Sequence, residues 1–328
     1  MFVLAHISDV HLPLDGRPRT RELLSQRILG YANWKRGRDQ VHRAEVLAKI
    51  TDHMVAQRPD HIAVTGDLVN VAAQREWPGA RAFLDSLGSY QDVTVIPGNH
   101  DAYVGGGVPG MVAAFDPNMR GDTGHHASDG SSNSVRGLDG RFPFVRLRGN
   151  VALIACSSAV PTAPFMATGR LGQDQLTRLE EELNALKAEG RVRVVLIHHP
   201  PIPGLASARR RLSDDADLAA LFERTGAELV LHGHNHTATA TMTPGPDAPV
   251  PIIGVPSTSA RTHGERPAAQ YNLLRFEGPD HAPSVTLERY GILRDEKDPV
   301  ELFQKTDMAG AALHQPVHPL AAEQAASR

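Results

Sequence analysis

The sequence predicts an α/β protein built from two β-α-β halves, each supplying one layer of strands. Three observations predict it. Short runs rich in Val, Ile and Leu recur without alternation, as strands buried on both faces require. Helical apolar stripes fall between them. After Gly233 the apolar runs are separated by Pro and Gly turns instead, the spacing of antiparallel additions.

The strand-like runs are 2–7, 62–65, 93–96, 151–155, 192–197 and 229–231, then 250–255, 271–276 and 284–290. Between the first two, Val41, Ala44, Leu47, Ala48 and Met54 share one helical face, which Pro59 ends. Leu176, Leu179, Leu183 and Leu186 form a second stripe, stopped by Gly190. Ser213-Asp214-Asp215 reads as the N-cap of a third helix running to about Arg224. Trp77 and the leucines around it read as core. Residues 104–140, rich in Gly, Ser and Asp, are expected to form a long loop over the sheets. The expected organisation is one domain over 1–305 and a disordered tail over 306–328.

Composition narrows the class. The 328 residues allow a sizeable core, and 41% hydrophobic with 22% charged residues is an ordinary globular balance. Lys and Arg number 34 against 37 Asp and Glu, a net charge of −3, so a dedicated nucleic-acid binder is not expected. No apolar run approaches the ~20 residues of a membrane-spanning helix. The single cysteine, Cys156, lies in an apolar run and reads as a small buried side chain. With no disulfide to form and no signal-like N-terminus, a cytoplasmic protein is expected. Against that one cysteine stand 17 histidines.

The polar residues fall at strand ends. Asp9 and His11 follow the first run, Asp67 the second (Gly66-Asp67), and Asn99, His100 and Asp101 the third (Pro97-Gly98-Asn99-His100-Asp101). His198 and His199 follow the fifth, and His234 and His236 the sixth (Gly233-His234-Asn235-His236). Carboxyl ends of strands in an open α/β sheet share one edge, where ligands bind. Imidazole, carboxylate and amide oxygen without thiolate suit divalent Mn, Fe, Zn, Co or Ni. One ion needs three or four such groups, and at least seven converge, enough for two ions sharing a carboxylate. The i, i+2 spacing of Asp9/His11 and His234/His236 is expected to place each pair on one side of an extended segment.

The order Asp-x-His, Gly-Asp, Gly-Asn-His-Asp, His and Gly-His-x-His resembles the calcineurin-like metallophosphoesterase superfamily, over about residues 3–260. The resemblance implies a four-layer α-β-β-α sandwich, two mixed sheets flanked by helices. It implies one ion on Asp9, His11, Asp67 and His236, and a second on Asp67, Asn99, His198 and His234, with Asp67 bridging. His199 then stands behind the ligands or in the core. His100 matches the histidine beside the scissile phosphate, and Asp101 the carboxylate that orients it. Two divalent ions against Asp9 and Asp67 leave the centre net positive, suited to an anionic phosphoester, and activate a shared water. His100 would hydrogen-bond a phosphoryl oxygen or protonate the leaving alkoxide.

Within the superfamily, Pro97 and Asp101 differ from the phosphoprotein phosphatases, and His100 from the lipid A pathway hydrolases. The combination looks most like the bacterial cyclic-nucleotide and glycerophosphodiester phosphodiesterases, with 3′,5′-cyclic nucleotides the leading substrate. The insert over 17–38 leaves an alternative open. It carries Arg17, Arg19, Arg21, Arg27, Lys35, Arg36 and Arg38 against Glu22, interleaved with Leu23, Leu24, Ile28, Tyr31 and Trp34. Such a helix packs on the core or a second subunit, or lies in a membrane interface beside a lipid-linked phosphoester or pyrophosphate, which would make the protein peripheral to the inner membrane face. Arg209, in the run Arg209-Arg210-Arg211, and Arg261 with His263 are candidates for substrate contact; His125 and His126 are candidate lid residues. A non-catalytic scaffold of the same fold should have lost ligands, and all five blocks are intact.

Overall fold

The computed structural model describes residues 1–14, 16, 18–19, 22, 27–122, 138, 140–262, 267–278, 284–293 and 296–308. Strand β1 (Phe2–Ile7) is followed by α1 (Arg27–Asn33), a π-helical turn (Trp34–Arg38), α2 (Asp39–Val41) and α3 (Ala44–Ala56). Then come β2 (His61–Val64), α4 (Glu76–Leu87), β3 (Val93–Val95) and α5 (Val108–Phe115). The second half runs β4 (Phe144–Arg148), β5 (Val151–Ala155), α6 (Gln173–Ala188), β6 (Val192–Leu196), α7 (Asp215–Thr225) and β7 (Leu229–His232). Strands β8 (Thr239–Thr243), β9 (Val250–Gly254), β10 (Gln270–Glu277), β11 (Ser284–Gly291) and β12 (Glu301–Asp307) complete the chain.

The strands form two six-stranded sheets, β12-β11-β10-β1-β2-β3 and β4-β5-β6-β7-β9-β8. Each has a parallel centre, β1-β2-β3 in one and β5-β6-β7-β9 in the other, extended by antiparallel strands. One apolar cluster fills the space between the sheets and under α3, α4 and α5. A second lies between the outer face of the other sheet and the leucine stripes of α6 and α7. The result is the four-layer α-β-β-α sandwich, with two mixed sheets. Among the described residues no helix is long and apolar enough to cross a membrane.

Several local expectations need correction. Helix α4 is not among the helices that the apolar pattern predicts. Pro78 lies in the first turn, where no backbone donor is lost, and Trp77, Phe83, Leu84 and Leu87 bury the helix. The expected loop over 104–140 is helical over Gly105–Gly107, Val108–Phe115 and Asp116–Asn118, because Val108, Met111 and Phe115 supply a buried face. Residues 250–254 were grouped with the antiparallel additions, yet β9 pairs parallel with β7. The sheet continues past residue 305 through β12, an edge strand whose mostly exposed residues give no apolar run to read. Helix α7 stands where expected, but Asp214 does not cap it; its carboxylate accepts the backbone N–H groups of Leu171 and Gly172 and so ties α7 to the start of α6.

Beneath the carboxyl end of β1, a polar row crosses the inner face of one sheet. His6, Asn272, Arg289 and Gln304 are successive cross-strand partners on β1, β10, β11 and β12. Arg289 is fully buried and reaches the facing sheet, donating from Nη2 to the Thr239 carbonyl at 2.7 Å. Burial lowers its pKa to about 10.

Candidate metal centre

Five strands of the parallel centres, β1, β2, β3, β6 and β7, deliver their following loops to one edge. The ladder between β1 and β2 continues past the strands, with Asp9 N–H donating to Gly66 O and His11 N–H to Asp67 O, both at 2.9 Å. Facing loops join across the sheets: His234 N–H donates to Asp9 Oδ2 at 2.9 Å. This contact needs Gly233, since a Cβ there would overlap Ser8 Oγ and Asp9 Oδ2. Gly98 is needed likewise, because a Cβ would overlap Asp67.

The paired residues do face one place, but not from extended segments. Asp9 (φ 53°), His11 (φ 42°), Asp67 (φ 57°), His234 (φ 67°) and His236 (φ 57°) all have positive φ. Non-glycine residues rarely adopt this conformation, and such strain clusters at functional sites. Among the described residues, five of the eight non-glycine examples are candidate ligands.

Two groups of donors result. In one, His236 Nε2 stands 3.0 Å from Asp9 Oδ1 and 3.4 Å from His11 Nε2. In the other, His198 Nε2 lies 3.3 Å from Asn99 Oδ1, and the His198 and His234 rings meet edge-on at 5.2 Å. Asp67 stands between them. Its Oδ1 accepts the His100 backbone N–H at 2.7 Å, while Oδ2 lies 3.9 Å from His11 Nε2 and 3.5 Å from His198 Nε2. The imidazoles are held from behind: His11 Nδ1–H donates to Val69 O at 3.4 Å and His198 Nδ1–H to Thr65 O at 2.6 Å. A ring whose Nδ1 is spent this way turns its Nε2 lone pair inward, the usual support of a metal ligand.

Electrostatics agree. Burial works against the Asp9 charge, but the His236 imidazole outweighs it and holds the carboxyl at about 2. Burial is outweighed at Asp67 too, chiefly by His198 and His100, and its pKa falls well below the usual carboxylate range. At His198 burial opposes charge, yet Asp67 and then Asp9 raise the pKa to about 9. His234 is driven the other way, by burial and by His199, and stays neutral. The protein thus gathers a positive charge against two buried carboxylates.

His100 is half-buried, unlike the candidate ligands around it, and lies on the side open to solvent. Its Nδ1–H donates to Asn70 O at 2.5 Å, and its ring stacks on Tyr103 at 5.8 Å. The Asp101 carboxylate does not take the orienting role that the resemblance implies. It accepts four backbone N–H groups, from Asp67, Leu68, Val69 and Gly98, and so shapes the loops that carry Asp67 and Asn99. Burial, then the Asp67 charge, push its pKa up to about 7. Glu76, at the start of α4, orders the next stretch by accepting the N–H groups of Asn70, Val71 and Ala73.

His199 stands behind His234, with Nδ1 2.7 Å from Ser158 Oγ and Nε2 3.3 Å from Ala167 O. Cys156 is buried and its thiol is pushed up to about 12, which suits a core residue. Of the basic run, Arg210 rather than Arg209 reaches the centre: its Nη2 donates to His234 O at 2.6 Å, while Arg209 is exposed. Arg261 lies beside the site, its backbone N–H donating to Val41 O and its buried Nε without a hydrogen bond. His263, His125, His126 and the tail beyond 308 lie outside the described residues. His42, Asn70 and Tyr103 are neighbours of the centre that belong to no spaced pattern in the sequence, whereas Arg210 lies in the basic run already read as a candidate.

The residues present fit a pair of divalent metal ions. Among the described residues, four overlapping sets each bring three donor atoms within 4.8 Å of one another, one of them Asp9, Asp67 and His198. His234 Nε2 is buried without a hydrogen bond, although buried polar atoms are ordinarily paired, and Asp9 Oδ1 faces the His236 imidazole at 3.0 Å. A carboxylate oxygen and an imidazole nitrogen placed so are acceptors that divalent cations would satisfy.

A family model described as calcineurin-like phosphoesterase matches residues 2–238. No curated protein matches the chain. Among solved structures, it is similar to a dimetal phosphatase from Danio rerio, with a TM-score of 0.57 and 12% identity, covering 92% of this chain and 98% of that one. It is also similar to an NAD nucleotidase from Haemophilus influenzae, with a TM-score of 0.51 and 12% identity over 98% of this chain. The match spans 62% of that longer protein. At such identities the likeness is one of fold.

Proposed function

The chain belongs to the calcineurin-like phosphoesterase family, and on that premise we propose that it is a dinuclear-metal phosphodiesterase acting on small phosphodiesters, 3′,5′-cyclic nucleotides foremost. The observation that carries the dinuclear reading is Asp67, whose Oδ2 faces imidazoles of both donor groups while Oδ1 is fixed by the His100 N–H. Asp9, His11, Asp67 and His236 hold one ion; Asp67, Asn99, His198 and His234 hold the other. Bound there, divalent ions supply a water of lowered pKa and positive charge for the phosphoryl oxygens.

The protein's own groups do the rest. His234 N–H and His100 N–H each hold one oxygen of Asp9 and Asp67, leaving the other for the ions. His100, fixed through Asn70 O, presents Nε2 at the open side, where it donates to a phosphoryl oxygen or gives a proton to the departing alkoxide. Arg261 offers a cation to a second substrate oxygen. The diester reading is supported by Pro97, His100 and Asp101, which set the chain apart from phosphoprotein phosphatases and lipid A pathway hydrolases.

Hydrolysis of bis-(p-nitrophenyl) phosphate against p-nitrophenyl phosphate tests it. A higher kcat/KM for the diester is expected; preference for the monoester overturns the diester assignment. A second reading, a lipid-linked phosphoester, is favoured by α1, whose Ile28 and Leu29 are 52% and 39% exposed in a basic segment. Cyclic nucleotides, glycerophosphodiesters and lipid pyrophosphates assayed side by side separate the two, and salt-sensitive co-sedimentation with anionic vesicles would favour the second.

A further inference from the structure

The segment that follows the basic insert ends inside the metal centre. His42 forms an antiparallel bridge with Ala260, flanked by hydrogen bonds at 2.9 Å from Arg43 N–H to Ser259 O and from Arg261 N–H to Val41 O. Its side chain is buried. The ring lies 4.5 Å from that of His11 and 5.7 Å from that of His236, centroid to centroid. One nitrogen from each of His11, His42 and His236 lies within 4.8 Å of the others.

His42 is also oriented as the proposed ligands His11 and His198 are. Its Nδ1 sits 2.8 Å from Ser259 Oγ and 3.4 Å from Ser257 Oγ. The Ser257 hydroxyl proton is committed to Asp9 O at 2.7 Å, so that oxygen accepts. With Nδ1–H donated to the serine pair, Nε2 carries the lone pair, the arrangement already seen at His11 and His198. A packing role alone would not require three imidazoles turned toward one point beside two buried carboxylates.

We propose that His42 is a further ligand of the ion held by Asp9, His11 and His236. It gives that ion a third imidazole, while the ion on Asn99, His198 and His234 gains none. The two sites then differ in strength: the first is the tighter for an imidazole-preferring divalent ion such as Co, Zn or Ni. The strand-like bridge at Ala260 ties the segment just after the insert to the metal site. This inference rests on the dinuclear reading above.

Cobalt titration of the metal-free full chain tests it, read by visible absorption and by competition with a chelator. Wild type should bind two ions in two steps. In His42→Ala the tighter step should weaken ~10–100-fold and its absorption bands should change, while the weaker step stays. His42→Phe keeps an aromatic ring against His11 without a ligand and should behave like His42→Ala. Ser259→Ala keeps the ring but removes its anchor, and should weaken the same step less. Wild-type affinity and spectrum in His42→Phe would reduce His42 to packing and overturn the proposal. So would unchanged titrations in Ser259→Ala and His42→Phe, should His42→Ala fail to fold. Uptake of fewer than two ions by wild type would instead defeat the dinuclear reading, whatever His42 does.

Discussion

The Asp101 carboxylate accepts the backbone N–H of Asp67 at 2.8 Å, so the residue proposed to bridge two ions is positioned through its own main chain. The same carboxylate takes the N–H groups of Leu68, Val69 and Gly98. Two loops from different strands are thereby closed around one fully buried side chain.

Asp101→Asn should therefore be a stability mutant first. Each Asp101 oxygen accepts two N–H donors, so an amide group must confront two of them whichever way it is turned. Leaving them unpaired costs about 3 kcal/mol or more. Urea denaturation of metal-free protein should show the loss; an unchanged midpoint would return Asp101 to a purely catalytic role.

His100→Ala should separate catalysis from metal binding. The backbone N–H that holds Asp67 Oδ1 survives the substitution. Turnover of the diester should fall ~100- to 10,000-fold, with two ions still bound by elemental analysis. Loss of an ion would mean that His100 is a ligand.

Removing metal should destabilise the fold. The proposed ligands Asp9, Asp67 and His234 are buried groups that a cation would relieve. At a hundredfold excess over Kd, one site adds about 2.7 kcal/mol. Thermal unfolding before and after chelation should show a lower Tm without metal, recovered on adding Mn or Co; identical curves would count against a built site.

His61 should contribute to acid sensitivity. It is buried, its Nε2 2.7 Å from Thr94 Oγ1 and its Nδ1 accepting from Arg148 Nε at 3.2 Å. Burial, then Arg148 and Arg146, hold its pKa well below 6.5. The unfolded chain takes up a proton below 6.5 that the folded chain refuses, so stability is present above that pH and falls as pH drops beneath it, by ~1.4 kcal/mol per unit. Between pH 7 and 5.5, His61→Gln should lose about 1 kcal/mol less than wild type in urea denaturation. Parallel losses would exclude His61 as a contributor.

The parallel strands other than β9, and the polar residues that follow them, were legible because both are local: an apolar run, then a turn, then Asp, Asn or His. Helix α4 was not, since Pro78 looks the same inside a helix and at its start. His42 was not, because a histidine with no spaced partner acquires its meaning only when the bridge to Ala260 closes. The role of Asp101 was misread for a related reason: a motif names the residue but not which hydrogen atoms it will meet.

The left-handed backbone at Asp9, His11, Asp67, His234 and His236 has a practical corollary. Each such residue sits on the order of 1 kcal/mol above a relaxed conformation, and glycine, which would relax it, has no donor atom to offer. Attempts to toughen this enzyme by smoothing its least comfortable torsions would erase the chemistry, so hardening has to come from surfaces remote from that edge.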